Sequence, residues 1–486
     1  MRSFFILFLV CITNQLFAQS YTGKSWEIGV FGYSIDCSQA NEIHDTLLSN
    51  SDFIRGVSNI CDSLGNMLYM SDGMNVYNKY GILLDGGDSL ASPDYYTFST
   101  GNSIYPQTSI FLPMDSGKIY FITPTCNDTN LANIWQYGVG SKGPFNVLLY
   151  SVIDRYANGG AGKVVKRMQP ILENVELNKP QMMACKHRNG KDWWLLKMAA
   201  DSNNLYTFLV TQDSIYFKGL QRMPYQNTTY GDVWGQMIFS RDGTKWAATC
   251  SSNMGKLFTA DFNRCNGELS NYQQIQVPEL MTPDGPDNGT AGVAYSPNKR
   301  FIYVSKYAHV LQYDTQDSTW FTVGDWNSDT VWAYFNGFQN LGLADNNKIY
   351  VGTFHGFRKA LNTINNPDGK GVLCNYCPVC LKAQSTEGVL KNIPCMPNYE
   401  LGAIADTCFP LAVSPIPDDV QKFSVYPNPS HSMLYFENGK QASKYLYTIQ
   451  GVFVAQTKQQ QLDISHLPKG IYLVRCGAEV LKVVVE

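Results

Sequence analysis

The sequence predicts an all-β protein in two parts, a large body of repeated hairpins and a small Ig-like β-sandwich at its C-terminal end. Three observations carry this. Aromatics make up 13% of the residues, with 30 Tyr and 40 Gly, and they run without helical periodicity, which favours pleated structure. A polar turn followed by an aromatic-rich strand recurs along the body. The final stretch, residues 423–486, breaks into short Val-, Ile-, Tyr- and Phe-rich runs separated by Pro, Gly and Asn.

At the N-terminus, Arg2 precedes an apolar run from Phe4 to Cys11, and the segment closes on Leu16-Phe17-Ala18-Gln19. A charged start, a short apolar centre and a small residue at the cut predict a secretory signal peptide over residues 1–18. The run is too short to remain as an anchor, and no other stretch is apolar enough to span a bilayer. No integral membrane segment is therefore expected, and the exported chain should be soluble. A formal net charge of -3 with 16% charged residues gives no basic face for nucleic acid.

The body, residues 19–408, repeats one phrase six times. It reads Asp62-Ser63-Leu64-Gly65-Asn66, Asp115-Ser116-Gly117-Lys118, Asn189-Gly190-Lys191-Asp192, Ser240-Arg241-Asp242-Gly243, Ser296-Pro297-Asn298-Lys299 and Asp345-Asn346-Asn347-Lys348, each leading into a strand. Taking the turn positions as 65, 117, 190, 243, 299 and 347, the spacing stays near 50 residues. The exception is one longer interval, with an insertion expected around Asn158 to Asn178. Gly or Asn supplies the positive φ of a tight hairpin, and a period of this size with several strands per unit points to β-propeller blades. The length leaves room for seven or eight blades. We expect about seven, with the ring closed by mixing N- and C-terminal strands.

Thirteen cysteines include Cys11 of the leader. In an exported chain the others read as disulfides more readily than as metal ligands. The C-x2-C-x2-C run Cys374, Cys377, Cys380, followed by Cys395 and Cys408, is expected to be a disulfide cluster stapling a long loop, with connectivity open. No catalytic, cofactor-binding or metal-ligating residue is assigned. The six histidines, His44, His187, His309, His355, His431 and His466, fall in no H-E-x-x-H pattern, and no G-x-S-x-G elbow exists. His187, in a turn before Trp193-Trp194, is expected to be locally bonded. Asp325-Trp326-Asn327-Ser328-Asp329 begins a calcium-loop rhythm that Thr330 and Asn336 break. Asp284 to Gly289 reads as a surface turn. Trp320, Trp326, Trp332, Tyr334 and Phe335 read as packing between blades rather than as a stacking face for a ligand.

A Pro-containing linker, residues 409–422, leads to the tail. Its Tyr426-Pro427-Asn428-Pro429 entry, Gly451, the Leu462-Asp463-Ile464-Ser465 run with Leu467, Gly470-Ile471-Tyr472-Leu473 and the closing strand from Lys482 stand in order within residues 423–486. In that order they resemble the type A C-terminal sorting domain carried by cargo of the type IX secretion system of Bacteroidota. The resemblance implies that the secretion machinery is a partner and that the protein is delivered across the outer membrane, to the cell surface or outside the cell.

The Ser240-Arg241-Asp242-Gly243 turn is one residue short of the sialidase Asp-box. Together with Ser296-Pro297-Asn298, it resembles the turns of WD40- and TolB-like propellers. Gly65 to Asn78, Lys186 to Trp194 and Ile364 to Gly371 resemble a group of secreted Bacteroidota propellers, and this implies an architecture without implying a reaction. That group ends on a Gly-Leu-Pro-Asn-Phe-like phrase where this chain has Met396-Pro397-Asn398-Tyr399, so the boundary of the last blade stays open. The expected function is an exported binding or adhesion module for an unknown glycan or protein. The alternatives are an extracellular hydrolase or lyase acting on glycans, or a structural part of the secretion or gliding apparatus.

Overall fold

The computed structural model describes residues 21–30, 33–37, 43–45, 52–53, 55–101, 103–127, 145–224, 234–250, 255–282, 285–287, 289–325, 337–353, 360–382, 392–404, 423–437, 443–449, 452–476 and 479–486. The expected signal peptide and linker, and with them Cys408, Gly451, His355, Trp326, Trp332, Tyr334 and Phe335, lie outside the described residues. The chain is all-β and divides into two compact units, one holding Met1–Asp213 and Gly219–Ile404, the other Ala405–Glu486 with Ser214–Lys218.

The body is a succession of antiparallel sheets built from strands adjacent in sequence. The first sheet joins Tyr21–Thr22 to Ser58–Asp62, Met67–Ser71 and Val76–Asn78. A seven-stranded sheet follows, running in order from Ile110–Pro113 to Ile215–Arg222. Its central strand, Lys163–Lys186, pairs through its first part with Phe145–Asp154 and through its last part with Trp193–Ala199, so it serves two units. The segment expected to be an insertion around Asn158 to Asn178 is therefore largely this shared strand. Three four-stranded sheets follow, starting at Met237–Phe239, Thr290–Tyr295 and Phe338–Leu343. The N-terminal strands Ser25–Val30, Tyr33–Asp36, Ile43–Asp45 and Asp52–Phe53 make a further sheet.

The six repeated turns each join two adjacent strands of six successive units, Ser58–Asp62 to Met67–Ser71 in the first and the first two strands in the others. Gly65, Gly117, Gly190, Gly243, Lys299 and Asn347 all have positive φ, from +62 to +90°. Each N–H of these residues donates to the carbonyl three positions back, from Asp62, Met114, His187, Ser240, Ser296 and Ala344. This is the geometry that the Gly/Asn positions dictate.

Neighbouring units are tied in chain order. Trp193 Nε1 donates to Pro113 O (3.0 Å), Trp194 Nε1 to Arg264 O (2.9 Å), Tyr295 Oη to Trp246 O (3.1 Å) and Tyr303 Oη to Pro367 O (2.8 Å). Trp26 of the N-terminal sheet packs edge-on to Tyr350, 5.0 Å between ring centres, and Glu27 N donates to Asn59 Oδ1 of the first sheet. Ser58 and Ser109 hydroxyls are 2.8 Å apart between the first and second units. The N-terminal sheet thus lies between the last repeat and the first.

First strands of different units are linked by glutamine amides, which carry the same donor and acceptor as a peptide group. Gln107 Nε2 donates to Met237 O (2.8 Å) and Gln107 Oε1 accepts from Met237 N. Gln236 Nε2 donates to Leu341 O (2.7 Å), while its Oε1 accepts from Val293 N and Leu341 N. Such contacts are close enough that a Cβ on Gly292 would sit 2.3 Å from Gln339 O.

In the tail, strands Ser424–Tyr426, Met433–Glu437 and Gln461–Asp463 form one sheet. Phe453–Thr457, Lys444–Thr448, Gly470–Cys476 and Glu479–Val485 form another. Both sheets supply one hydrophobic core, with Leu434 and Phe436 from the first and Leu446, Val474 and Val483 from the second.

Candidate functional site

The tail residues singled out from sequence fall into two sets. Asn428 joins the entry of the tail to its last strand: Nδ2 donates to Lys482 O (2.7 Å) and Oδ1 accepts from Val484 N (2.8 Å). The peptide bonds preceding Pro427 and Pro429 are cis. Tyr472 is buried and donates to Pro468 O (2.8 Å), Leu467 packs on the core, and Gly470 opens its strand. These residues shape the fold. Tyr426, Ile471 and Lys482 are exposed, as is Val480, and Leu473 is half-buried. Register pairs Ile471 with Val484, Leu473 with Lys482 and Arg475 with Val480, which sets apolar and basic side chains on the face opposite the core.

The expected disulfide cluster is only partly formed. Cys377 and Cys380 are bonded, but Cys374 and Cys395 are free, buried thiols on separate elements. Cys374 belongs to the core under the last two repeats, whereas Cys395 lies under the first, its N–H donating to Val57 O. The broader reading of the cysteines as disulfides holds only in part: Cys265 is also disulfide-bonded, whereas Cys37, Cys61, Cys126, Cys185, Cys250 and Cys476 are buried thiols outside any disulfide. Packed in apolar surroundings, these thiols act as small hydrophobes. Burial pushes the Cys61 and Cys185 thiols up to about 12.

His187 is locally bonded, with Nε2 3.1 Å from Cys265 O and Nδ1 accepting from Asn189 N. Trp320 meets Tyr313 of its own sheet at a tilt, 4.9 Å between ring centres, and packs on a core that also includes Ala247 and Leu257 of the preceding unit. Asp287, read as a surface turn residue, is instead buried. It accepts from Tyr307 N, Ala308 N and His309 Nδ1 (2.8 Å), and so anchors a hairpin.

The site that sequence reading missed is a rim cavity of about 140 Å3 bordered by two of the repeated turns, through Ser240 and Arg241 of one and Asp345 of another. Its walls come from the first strands of several units and from Ile393 to Leu401, the segment containing Met396-Pro397-Asn398-Tyr399. That segment is held by Cys395 N to Val57 O (2.7 Å), Tyr399 Oη to Asn59 O (3.1 Å) and Asn398 Nδ2 to Arg241 O (2.7 Å). An open groove continues outward past Arg241, Asn398, Glu400 and Leu401.

Two carboxylates face the cavity, Asp345 and Glu400. Burial, then repulsion from Glu400, raises the Asp345 carboxyl above its usual range, outweighing the pull of Arg241 and Lys24. Glu400 lies 3.6 Å from Lys24 Nζ. Next to them, burial opposes ionisation of Asp242, but hydrogen bonds from Lys299, Ser240 and Thr244 hold its carboxyl down at about 2. Asn340 Oδ1 and Asp345 Oδ2 are buried without a hydrogen-bond partner. Behind the cavity, fully buried Lys197 donates to Pro180 O (2.5 Å) and Lys179 O (3.2 Å), and burial drives its amine well below the ordinary lysine value. The only sequence signal bearing on this site was that Arg241 and Asp345 hold equivalent positions in their turns; that the two turns border one cavity was not legible. No group of three or more His, Cys, Asp or Glu among the described residues has the geometry of a metal site.

Residues 424–486 match a family model described as a secretion system C-terminal sorting domain. The tail is thus a type IX sorting domain, which directs the protein to the cell surface or the extracellular space. No helix among the described residues is long and apolar enough to cross a membrane. No curated protein matches the chain. Among solved structures, it is similar to the periplasmic gluconolactonase PpgL of Pseudomonas aeruginosa, at 12% identity and a TM-score of 0.38, covering 96% of this chain and 100% of that one. It is similar to AztD of Citrobacter koseri at 12% identity and 0.36, covering 77% and 88%. The extracellular domain assigned to a hybrid two-component system of B. thetaiotaomicron gives 12% identity and 0.35, covering 78% of this chain, which spans only 37% of that one. A structure described as the Dos1 propeller gives 10% and 0.36, covering 67% and 72%. Likenesses this distant assign neither a reaction nor a ligand.

Proposed function

We propose that the chain is an exported propeller of seven blades whose body, residues 19–408, is a binding module displayed at the cell surface. In this reading the tail, residues 423–486, is an Ig-like sandwich that engages the secretion machinery. The match over the tail carries the export half. The blade count is supported by the six turn-bearing units and the N-terminal sheet between the last and the first. Closure then uses strands from the start of the body and the Ile393–Tyr399 segment from its end. Binding is supported by the rim cavity, whose walls come from several units. In the tail, Asn428, Tyr472, Leu467 and Gly470 maintain the fold, while Tyr426, Ile471, Leu473 and Lys482 are displayed to the machinery.

One observation favours a second reading. A carboxyl of raised pKa beside a second carboxyl, as Asp345 is beside Glu400, is an arrangement that acid–base hydrolases use. The mature full-length chain should be tested on glycan and protein arrays and against a panel of polysaccharides and esters. Retention of a glycan or protein without turnover is expected. Robust hydrolysis or elimination that Asp345→Asn abolishes would replace the binding reading with the enzymatic one.

A further inference from the structure

We propose that the Cys377–Cys380 disulfide is a thiol–disulfide exchange site, which takes two electrons from external thiols and returns them to an external disulfide. This goes beyond the binding reading of the body and does not depend on it.

Position sets the pair apart from the buried thiols. It lies in Tyr376–Lys382, the edge strand of the last four-stranded sheet, which is hydrogen-bonded to a neighbour on one side only. Cys380 is exposed and Cys377 half-buried, whereas eight described cysteines are buried thiols. A thiolate arriving from solvent therefore meets Cys380 Sγ first, and exposed disulfides are the labile ones.

The backbone enclosed by the bond is held in an unfavourable form. Register pairs Thr363 with Cys377 and Leu361 with Leu381, so Pro378, Val379 and Cys380 stand opposite Asn362 alone. Within this bulge Val379 has φ +55, the left-handed region that a β-branched side chain resists. Opening the bond frees Val379 to return towards extended backbone, so the strain favours the dithiol. As a staple the bond does little, because it joins residues only three apart, and short loops restrict the unfolded chain least. The ladder on either side, Tyr376 with Ile364 and Leu381 with Leu361, does not need the bond, so the sheet survives its opening.

The step balances with thiols alone. A thiolate attacks Cys380 Sγ, the bond to Cys377 breaks, and the electron pair leaves on Cys377 Sγ. A second thiolate attacks the external sulfur of the mixed disulfide and releases Cys380. Two external thiols become one disulfide, and the two protons they lose end on Cys377 and Cys380.

The test equilibrates the mature full-length protein, without denaturant, in mixtures of reduced and oxidised glutathione, followed by alkylation and peptide mapping by mass spectrometry. Thiols should appear at Cys377 and Cys380 in the reducing mixture and disappear in the oxidising one, with thermal melts showing a folded protein throughout. Val379→Asn, better suited to the left-handed region, should shift the equilibrium about fivefold towards the disulfide. Oxidised glutathione should modify Cys380 in the Cys377→Ser protein at least about tenfold faster than Cys377 in the Cys380→Ser protein. The wild-type measurement stands even if a variant fails to fold. A bond that folded wild-type protein keeps in the reducing mixture but loses on unfolding overturns the proposal. So does an equilibrium unmoved in folded Val379→Asn, or equal rates at the two cysteines.

Discussion

Gly243 turns back at φ +70, and a Cβ there would lie 2.6 Å from Cys185 Sγ and 2.8 Å from Leu401 Cδ2. Gly243→Ala combines left-handed strain with a steric clash and should cost about 1–3 kcal/mol in urea unfolding. Gly160, at φ +93 with nothing within 4 Å, carries the strain alone, and its alanine variant should cost about 1 kcal/mol. Lys197 makes a pH prediction. Its folded amine titrates well below the unfolded one, so between those two values the unfolded chain binds a proton that the folded chain rejects. Stability should therefore rise with pH across that window, and the cost is fully present below it. Lys197→Met should flatten the rise in a series of thermal melts. The turns themselves were legible, because Gly and Asn at positive φ leave a local mark. The roles of Lys197 and Asp345 were not, because burial and convergence arise only when strands far apart in sequence meet.

Among the elements, cysteine usage was misread for a physical reason: an oxidising destination permits disulfides but does not bring thiols together. Cys377 is bonded to Cys380 and Cys265 is also disulfide-bonded, while eight described cysteines are buried thiols outside any disulfide. A thiol reagent applied to the folded, unreduced protein should leave those eight unlabelled and reach them only in denaturant, as buried, inaccessible thiols require. Rapid native labelling of Cys185 or Cys395 would contradict their burial. The tail was far more legible, since its turn residues and alternating strands are local patterns, whereas the division of labour among its motif residues needed the strand register. Asn428→Ala removes two hydrogen bonds between entry and exit and should lower stability by about 1 kcal/mol. Ile471→Asp, on the outward face, should leave melting nearly unchanged while reducing delivery to the cell surface. Surface labelling of intact cells together with melting of the purified variants checks both.

At the scale of the whole molecule, the repeat spacing announced successive hairpin units, and the structure supplies the contacts by which each unit meets the next. The shared strand Lys163–Lys186 explains the one long interval, since a single continuous strand there does the work of two. The N-terminal sheet escaped the repeat pattern because its strands carry no copy of the turn phrase, yet it occupies the position between the last repeat and the first. Destination and body are separable in this design, with residues 424–486 carrying the sorting domain and the rim cavity lying wholly in the body. The most direct measurement compares intact cells of a host with a type IX secretion system expressing the full chain or a chain lacking residues 423–486. Antibody labelling from outside should detect only the full chain, with the truncated protein held inside the outer membrane. Equal labelling of the two would contradict the account of the tail as the sorting domain.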